Sequence, residues 1–338
     1  MISSQAMRAF FCTVITVLIW TSSWVKADES LISGAKKEAK LVLYTSNNSR
    51  DVQPIFAAFR KKYPFIDTQS LDANCPELAE RFLSEERAGQ HLADVIACDS
   101  WDTERFKKEN LLARYLAPSA KNFPQGLKDP EGYWATDNYT FFVLGYNKTL
   151  VNEKEVPKTW FDLVDPKWQG KVAVPLMEHR LYAGWEQRLG EEKARQLVEG
   201  LKKQKLLLRK GHSQIANFLA AAEFPMAIAF AHHVEQAKKN GAPVDWVKTL
   251  DPLPANVRGV AVSAKAPHPN AGRLFIDFYL SKESQQIIAS RWGKVPGNPD
   301  VPSPFEKFQG LAIIPLDGRL LIDKADHYKG IAKEVFWR

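Results

Sequence analysis

The most constraining feature of this chain is a pattern repeated between Leu41 and Asp99. Leu41-Val42-Leu43-Tyr44 is a short apolar, β-prone run ending in the polar stretch Thr45-Ser46-Asn47-Asn48-Ser49. Val52, Ile55, Phe56 and Phe59 then recur at i, i+3, i+4 and i+7, the spacing of a helix with one buried face. The order repeats: Thr68 to Leu71 leads through Asn74-Cys75-Pro76 into a segment carrying Leu78, Phe82 and Leu83, and Ala93 to Cys98 ends at Asp99-Ser100. Successive strand–loop–helix units predict an α/β fold, a mainly parallel sheet flanked by helices. Ligands of such sheets sit beyond the carboxyl ends of the strands. The loops at Thr45 to Ser49, Asn74 and Asp99 to Trp101 are therefore expected on one rim.

Residues 1–27 read as a secretory leader rather than as part of the fold. Arg8 precedes an apolar run from Ala9 to Trp20, and Val25-Lys26-Ala27 ends in a small residue suited to cleavage. Twelve apolar residues are short of the roughly 20 that span a bilayer. Cleavage near Ala27 would export the mature chain and lowers the formal charge from +7 to +5. Lys and Arg are interspersed with Asp and Glu, which argues against nucleic acid as a partner.

The mature chain keeps Cys75 and Cys98. An exported chain allows a disulfide between them, but they follow the second and third strands, and if the first strand lies between those two the cysteines stand about 9.6 Å apart, beyond normal disulfide reach. No Cys/His spacing resembles a zinc site, and G-x-S-x-G, P-loop and H-E-x-x-H motifs are absent. The sequence therefore suggests neither an enzyme nor a cofactor.

Beyond a Pro- and Gly-punctuated connection, Tyr139 to Tyr146 forms a long β-prone segment. Val172 to Pro175 is a strand of buried type, and the loop Leu176 to Arg180 leads into a helix carrying Leu181, Trp185 and Leu189. Ser213 is expected to cap the helix through Ile215, Phe218 and Leu219. Met226 to Phe230 is a further strand, expected to run out at Ala231-His232-His233. Ala255 to Ser263 returns as a strand, Ala271 to Arg291 as helices, and Pro296-Gly297-Asn298-Pro299 as a turn near the ligand.

Taken in order, "LVLYTS", "ADVIACDS", "GYNKTLV", "PKTWFDLVDPKWQGKVAVP", "LAAAEFPMAIAFAHH", "KVPGNPDV" and "IPLDGRLL" resemble the periplasmic solute-binding proteins of bacterial ABC transporters. The similarity is to the cluster that includes ferric-iron, thiamine, spermidine and phosphonate binders, and it runs from about Lys40 to Trp337. The resemblance implies a two-lobed, transferrin-like fold (type II periplasmic binding protein) that closes on a small molecule or ion and hands it, as a monomer, to an inner-membrane permease. On that pattern residues 28–138 and 264–310 form lobe 1, 139–263 form lobe 2, and 311–338 are a C-terminal helical segment.

Ferric-binding members of that cluster place two adjacent tyrosines just after the strand that corresponds to Met226–Phe230. This chain has His232 and His233 there. Imidazole suits borderline divalent metals better than ferric iron, which prefers anionic oxygen. Adjacent histidines on a strand end point to opposite faces. Two ligand classes stay open: a metal held by His232 or His233 with Glu178 and His179, or an anionic or polar organic solute held by a histidine, Arg180 and the helix start at Ser213. One histidine can also simply satisfy its own loop. His212 reads as solvated, and His91, His268 and His327 as surface residues. The ligand-binding set is Thr45, Ser46, Asn47, Asn74 and Ser100 from one lobe, Glu178, His179, Arg180, Ser213, His232 and His233 from the other, and Tyr139 near the crossover. Protonation near pH 6.5 is expected to weaken metal binding and to strengthen anion binding.

Overall fold

The computed structural model describes residues 29–176, 178–304 and 310–336. The leader, with Cys12, lies outside the described residues. Helix α1 (Glu29–Glu38) precedes β1 (Lys40–Thr45), α2 (Ser49–Lys62), β2 (Asp67–Asp72), α3 (Cys75–Arg87), β3 (Val95–Asp99) and α4 (Ser100–Lys108). The periodic residues of α2 do what their spacing requires: Val52, Ile55, Phe56 and Phe59 are buried. Asn48 caps this helix by accepting a hydrogen bond from the Asp51 amide at 3.1 Å. Burying such side chains contributes roughly 1.5–3 kcal/mol each.

The strands β1, β2 and β3 are parallel, with β1 in the middle. Two long strands follow, β4 (Ala135–Asn147) and, after the second half of the chain, β9 (Leu253–Val262). Between them come β5 (Val172–Pro175), α5 (His179–Leu189), α6 (Glu191–Lys202), β6 (Leu207–Arg209), α7 (His212–Ala220), β7 (Met226–Phe230), α8 (Ala231–Lys239) and β8 (Val244–Trp246). The spatial order is β2-β1-β3-β9-β4-β7-β5-β6. Parallel blocks thus stand at both ends, joined through antiparallel pairs of β9 with β3, β9 with β4, and β4 with β7. The sheet is more mixed than the repeated units imply, because the chain crosses between the halves on strands rather than on helices.

Residues 135–141 of β4 pair with β9, and residues 142–147 pair with β7 and β8. One strand therefore belongs to both halves. Helices α9 (Pro269–Tyr279) and α10 (Lys282–Trp292) return to the first half, where Phe275 meets Phe56 and Phe59 edge-on at 5.7 and 5.2 Å. The short strand β10 (Val295–Pro296) then pairs with β4, and β11 (Ile313–Pro315) with β9. Helices α11 (Gly318–Asp323) and α12 (Ala325–Phe336) end the described chain. Tyr328, Ile331, Ala332, Val335 and Phe336 of α12 join the same core as Trp160, Trp185 and Leu197, so this segment is built into the second half.

Candidate functional site

The carboxyl ends of β1 and β3, the start of α3 and the crossover strands meet at one place. Ser46 donates its amide to the Ala97 carbonyl at 3.3 Å, and its hydroxyl lies 3.0 Å from the Cys75 sulfur. The Thr45 hydroxyl accepts the Asn47 amide at 3.1 Å. This is the rim expected from the strand–loop–helix pattern, but its loop is not an exposed one. Thr45 and Asn47 are buried, and Asn47 reaches Tyr279 and Lys294 across the chain. Asn74 faces solvent and caps α3 by accepting the Glu77 amide. Ser100 is buried at the start of α4, and its hydroxyl has no hydrogen-bond partner among the described residues.

At the crossover sits Arg258, whose guanidinium hydrogen-bonds Ser46 and the Ala97 carbonyl and lies 3.7 Å from the Asp137 carboxylate. Asp137 also accepts from the Tyr279 hydroxyl at 2.8 Å. Next to it, both amide atoms of the buried Asn138 lack a partner among the described residues, and so does Oδ1 of Asn256. Asn256 donates to Asp99 at 3.2 Å. Buried amides left unpaired cost about 1–3 kcal/mol each, so their position marks where a ligand or water is needed. Tyr139 packs its ring against the cores of both halves, while its neighbour Thr140 bonds the His232 Nδ1 at 2.7 Å.

From the second half, Glu178 and Arg180 form a two-pronged ion pair with both bonds at 2.5 Å, and His212 Nε2 lies 2.9 Å from Oε2, the oxygen that Arg180 Nη2 also reaches. Burial alone would raise the Glu178 carboxyl, but Arg180 and His212 outweigh it and hold it well below the usual carboxylate range. The Arg180 guanidinium is bedded on three rings, 5.5 Å from Trp101, 5.7 Å from Phe142 and 5.6 Å from Phe230. Trp101 comes from the first half and the two phenylalanines from the second, so this side chain bridges the cleft. Its Nε and Nη2 are spent on Glu178, leaving Nη1 without a hydrogen-bond partner among the described residues.

His232 and His233 are not on a strand end. They occupy the first turn of α8, where their rings lie 3.9 Å apart on the same side, because a helix advances about 100° per residue whereas a strand alternates. Burial, followed by neighbouring charge, lowers both pKa values, His232 well below its usual value and His233 to about 4. Both imidazoles are therefore neutral near pH 6.5, and a titration there does not distinguish a metal from an anion. Lys294 acts electrostatically on both rings. Among the described residues, no three of Glu178, His179, His232 and His233 bring ligand atoms within 4.8 Å of one another. The nitrogen/oxygen metal set expected from the sequence is not assembled.

Two further expectations are corrected. Helix α7 starts at His212 after Gly211 at φ 71°, and Ser213, exposed in its first turn, makes no capping bond. A Ser213→Ala variant should therefore stay within about 0.5 kcal/mol of the parent in denaturant unfolding, where a lost cap would cost about 1 kcal/mol. His212 is not solvated: it stacks on Phe230 with ring centres 3.8 Å apart while it holds Glu178. Arg258, Asp137, Asn138, Asn256 and Lys294 were missed. The available signal was polar residues inside apolar β-runs, as in Val257-Arg258-Gly259-Val260.

Two lobes joined by crossover strands, with polar groups from both facing one cleft, define a solute-binding protein. Residues 90–318 match the profile of the bacterial extracellular solute-binding protein family, and the chain belongs to that family. Its members are binding proteins rather than enzymes and serve as the substrate-binding components of ABC import systems. A probable ABC transporter periplasmic-binding protein of Sinorhizobium fredii is 26% identical over 246 residues, 68% of this chain and 67% of its own. The fold is shared with iron-bound HitA from Pseudomonas aeruginosa, at a TM-score of 0.77 and 22% identity over 88% of this chain and 99% of that one. It is shared also with AfuA from Actinobacillus pleuropneumoniae, solved with exogenous fructose-6-phosphate, at a TM-score of 0.73 and 20% identity over 88% and 98%.

Proposed function

We propose that this protein captures a small organic anion, one bearing a carboxylate, phosphate or phosphonate, in the periplasm and delivers it to the permease of an ABC importer. The observation that carries this reading is Arg180, fixed by Glu178 and three aromatic rings with its Nη1 donors still to be matched. A guanidinium held this way is an anion receptor whose ordering cost is met before the ligand arrives. Lys294, which reaches Asn47, the amide of Asn138 and Oδ1 of Asn256 supply further polar groups at the same crossover. AfuA, a relative in fold, was solved with a sugar phosphate, which is chemistry of this class. A ferric ion, as in HitA, suits this cleft poorly: Glu178 is consumed by two cationic or hydrogen-bonding partners, and the imidazoles face a lysine ammonium.

Lys294 supplies the test. Burial, then Arg258, lowers its pKa to about 8 in the free protein, and a bound anion would raise it. The bound state then takes up a proton wherever free Lys294 is neutral. Affinity should hold steady below about pH 7 and fall above about pH 8, by up to about tenfold per pH unit. Native mass spectrometry of chelator-free protein would identify the carried solute, and calorimetry with that solute from pH 6 to 10 would read the profile. A flat profile, or a bare metal ion as the only cargo, would refute the anion reading.

A further inference from the structure

One cluster of metal-type donors, to which the anion reading assigns no role, stands beside the first-half rim, its Cys75 sulfur 3.0 Å from the Ser46 hydroxyl. Cys75 opens helix α3, Cys98 is the penultimate residue of β3, and Asp102 lies in the first turn of α4. The three are buried, and their two sulfurs and a carboxylate oxygen all lie within 4.8 Å of one another. A first strand lying between the other two was expected to hold the cysteines about 9.6 Å apart. Strand β1 does run between β2 and β3, but Cys75 is not on β2: the loop after that strand folds over the end of β1 and carries the sulfur back toward Cys98.

Asp102 is the odd member. Its carboxylate is buried, its partner is the Cys98 thiol at 3.4 Å, and no basic side chain among the described residues reaches it within ion-pair distance. Burial, then Asp99, pushes its pKa up to about 7, so it meets the cost of burial either by taking up a proton or by finding a cation, and a coordinated metal would supply the second. We propose that Cys75 Sγ, Cys98 Sγ and Asp102 Oδ form a binding site for a thiophilic metal ion of the zinc, cadmium or copper(I) class, with the fourth position open toward the Ser46 hydroxyl.

The donor set decides the metal. Two sulfurs and one carboxylate favour soft or borderline ions over ferric iron or calcium. With Zn–S bonds near 2.3 Å, tetrahedral ligand atoms stand about 3.8 Å apart, so the observed cluster needs to contract by less than about 1 Å. Two thiolates and a carboxylate carry three negative charges, of which a divalent ion cancels two. Arg258 lies close enough to both sulfurs to feel their charge, and Arg180 feels that of Cys75. The helix dipole at the start of α3 adds to the same field at Cys75. Binding releases the thiol protons to solvent and requires no oxidant.

The probe is cadmium chloride added to the reduced mature protein, read by thiolate-to-metal charge-transfer absorption, with zinc chloride as competitor. One equivalent per chain is expected, with loss of the band in Cys98→Ser and Cys75→Ser and at least about tenfold weaker binding in Asp102→Asn. In the parent, native mass spectrometry should count one bound cadmium per chain, displaced by zinc, which keeps the test valid if a variant fails to fold. Absence of a band, a band that survives in either serine variant, or a Cys75–Cys98 disulfide in peptide maps of exported protein would each overturn the site. None of these readouts involves the anion, so they fail or succeed independently of the solute reading.

Discussion

Arg180→Ala should abolish measurable solute binding and also weaken the fold. Truncating one partner of a buried, hydrogen-bonded charge pair costs about 2–5 kcal/mol at an interface, or about thirty-fold to several-thousand-fold in affinity. Glu178, only 3% exposed, would then be a buried anion with His212 as its remaining side-chain partner among the described residues. Breaking such a pair destabilises by about 3–5 kcal/mol. The two effects separate in the double variant Glu178→Gln/Arg180→Met, which removes both charges at similar volume. Its denaturant midpoint should recover most of the loss while binding stays absent. If the double variant binds the solute, Arg180 is a structural residue and the anion is held elsewhere.

Gly297→Ala should be the most damaging change of a single methyl. A Cβ at position 297 would lie 1.9 Å from the Thr136 carbonyl oxygen and 2.8 Å from its carbon, both backbone atoms of the approach to the crossover. Neither can rotate away as a side chain tip would, so the segment from Lys294 to Asn298 must lift off β4. That breaks the bond from the Gly297 amide to the Asp137 carbonyl and moves Lys294 out of the cleft. Overpacking of this kind costs about 1–3 kcal/mol or more. Thermal melts should fall by at least about 2 °C, and the decline in affinity above pH 8 should disappear with the displaced lysine. An unchanged melting temperature would show that the loop relaxes freely.

The alternation of strands and helices was legible because each unit carries its own local signal. Leu41 to Tyr44, Val95 to Cys98 and Met226 to Phe230 are apolar runs closed by polar residues, and the apolar face of α2 is written at helical spacing. Local signals also placed Ser46, Asn47 and Glu178 to Arg180 at strand ends. What those residues do there was not local. Arg258 meets Ser46 across 212 positions, and Lys294 meets Asn47 across 247. Such partners are chosen by the sheet order, in which β9 enters beside β3 late in the chain. The histidines show the same limit at shorter range. Whether His232 and His233 share a side or oppose each other depends on where β7 hands over to α8, and an element boundary is what a pattern of apolar residues defines least well.

Strands β4 and β9 lie against each other along the middle of the molecule, and nearly every residue of both is buried. Each half borrows its central plank from the same pair, so neither owns a complete sheet. Melting the second half would strip β7 and β8 from one end of β4 and leave a hydrophobic strand exposed in the half that remained. The shared pair ties the halves together, so a thermal melt is expected to show one transition rather than two.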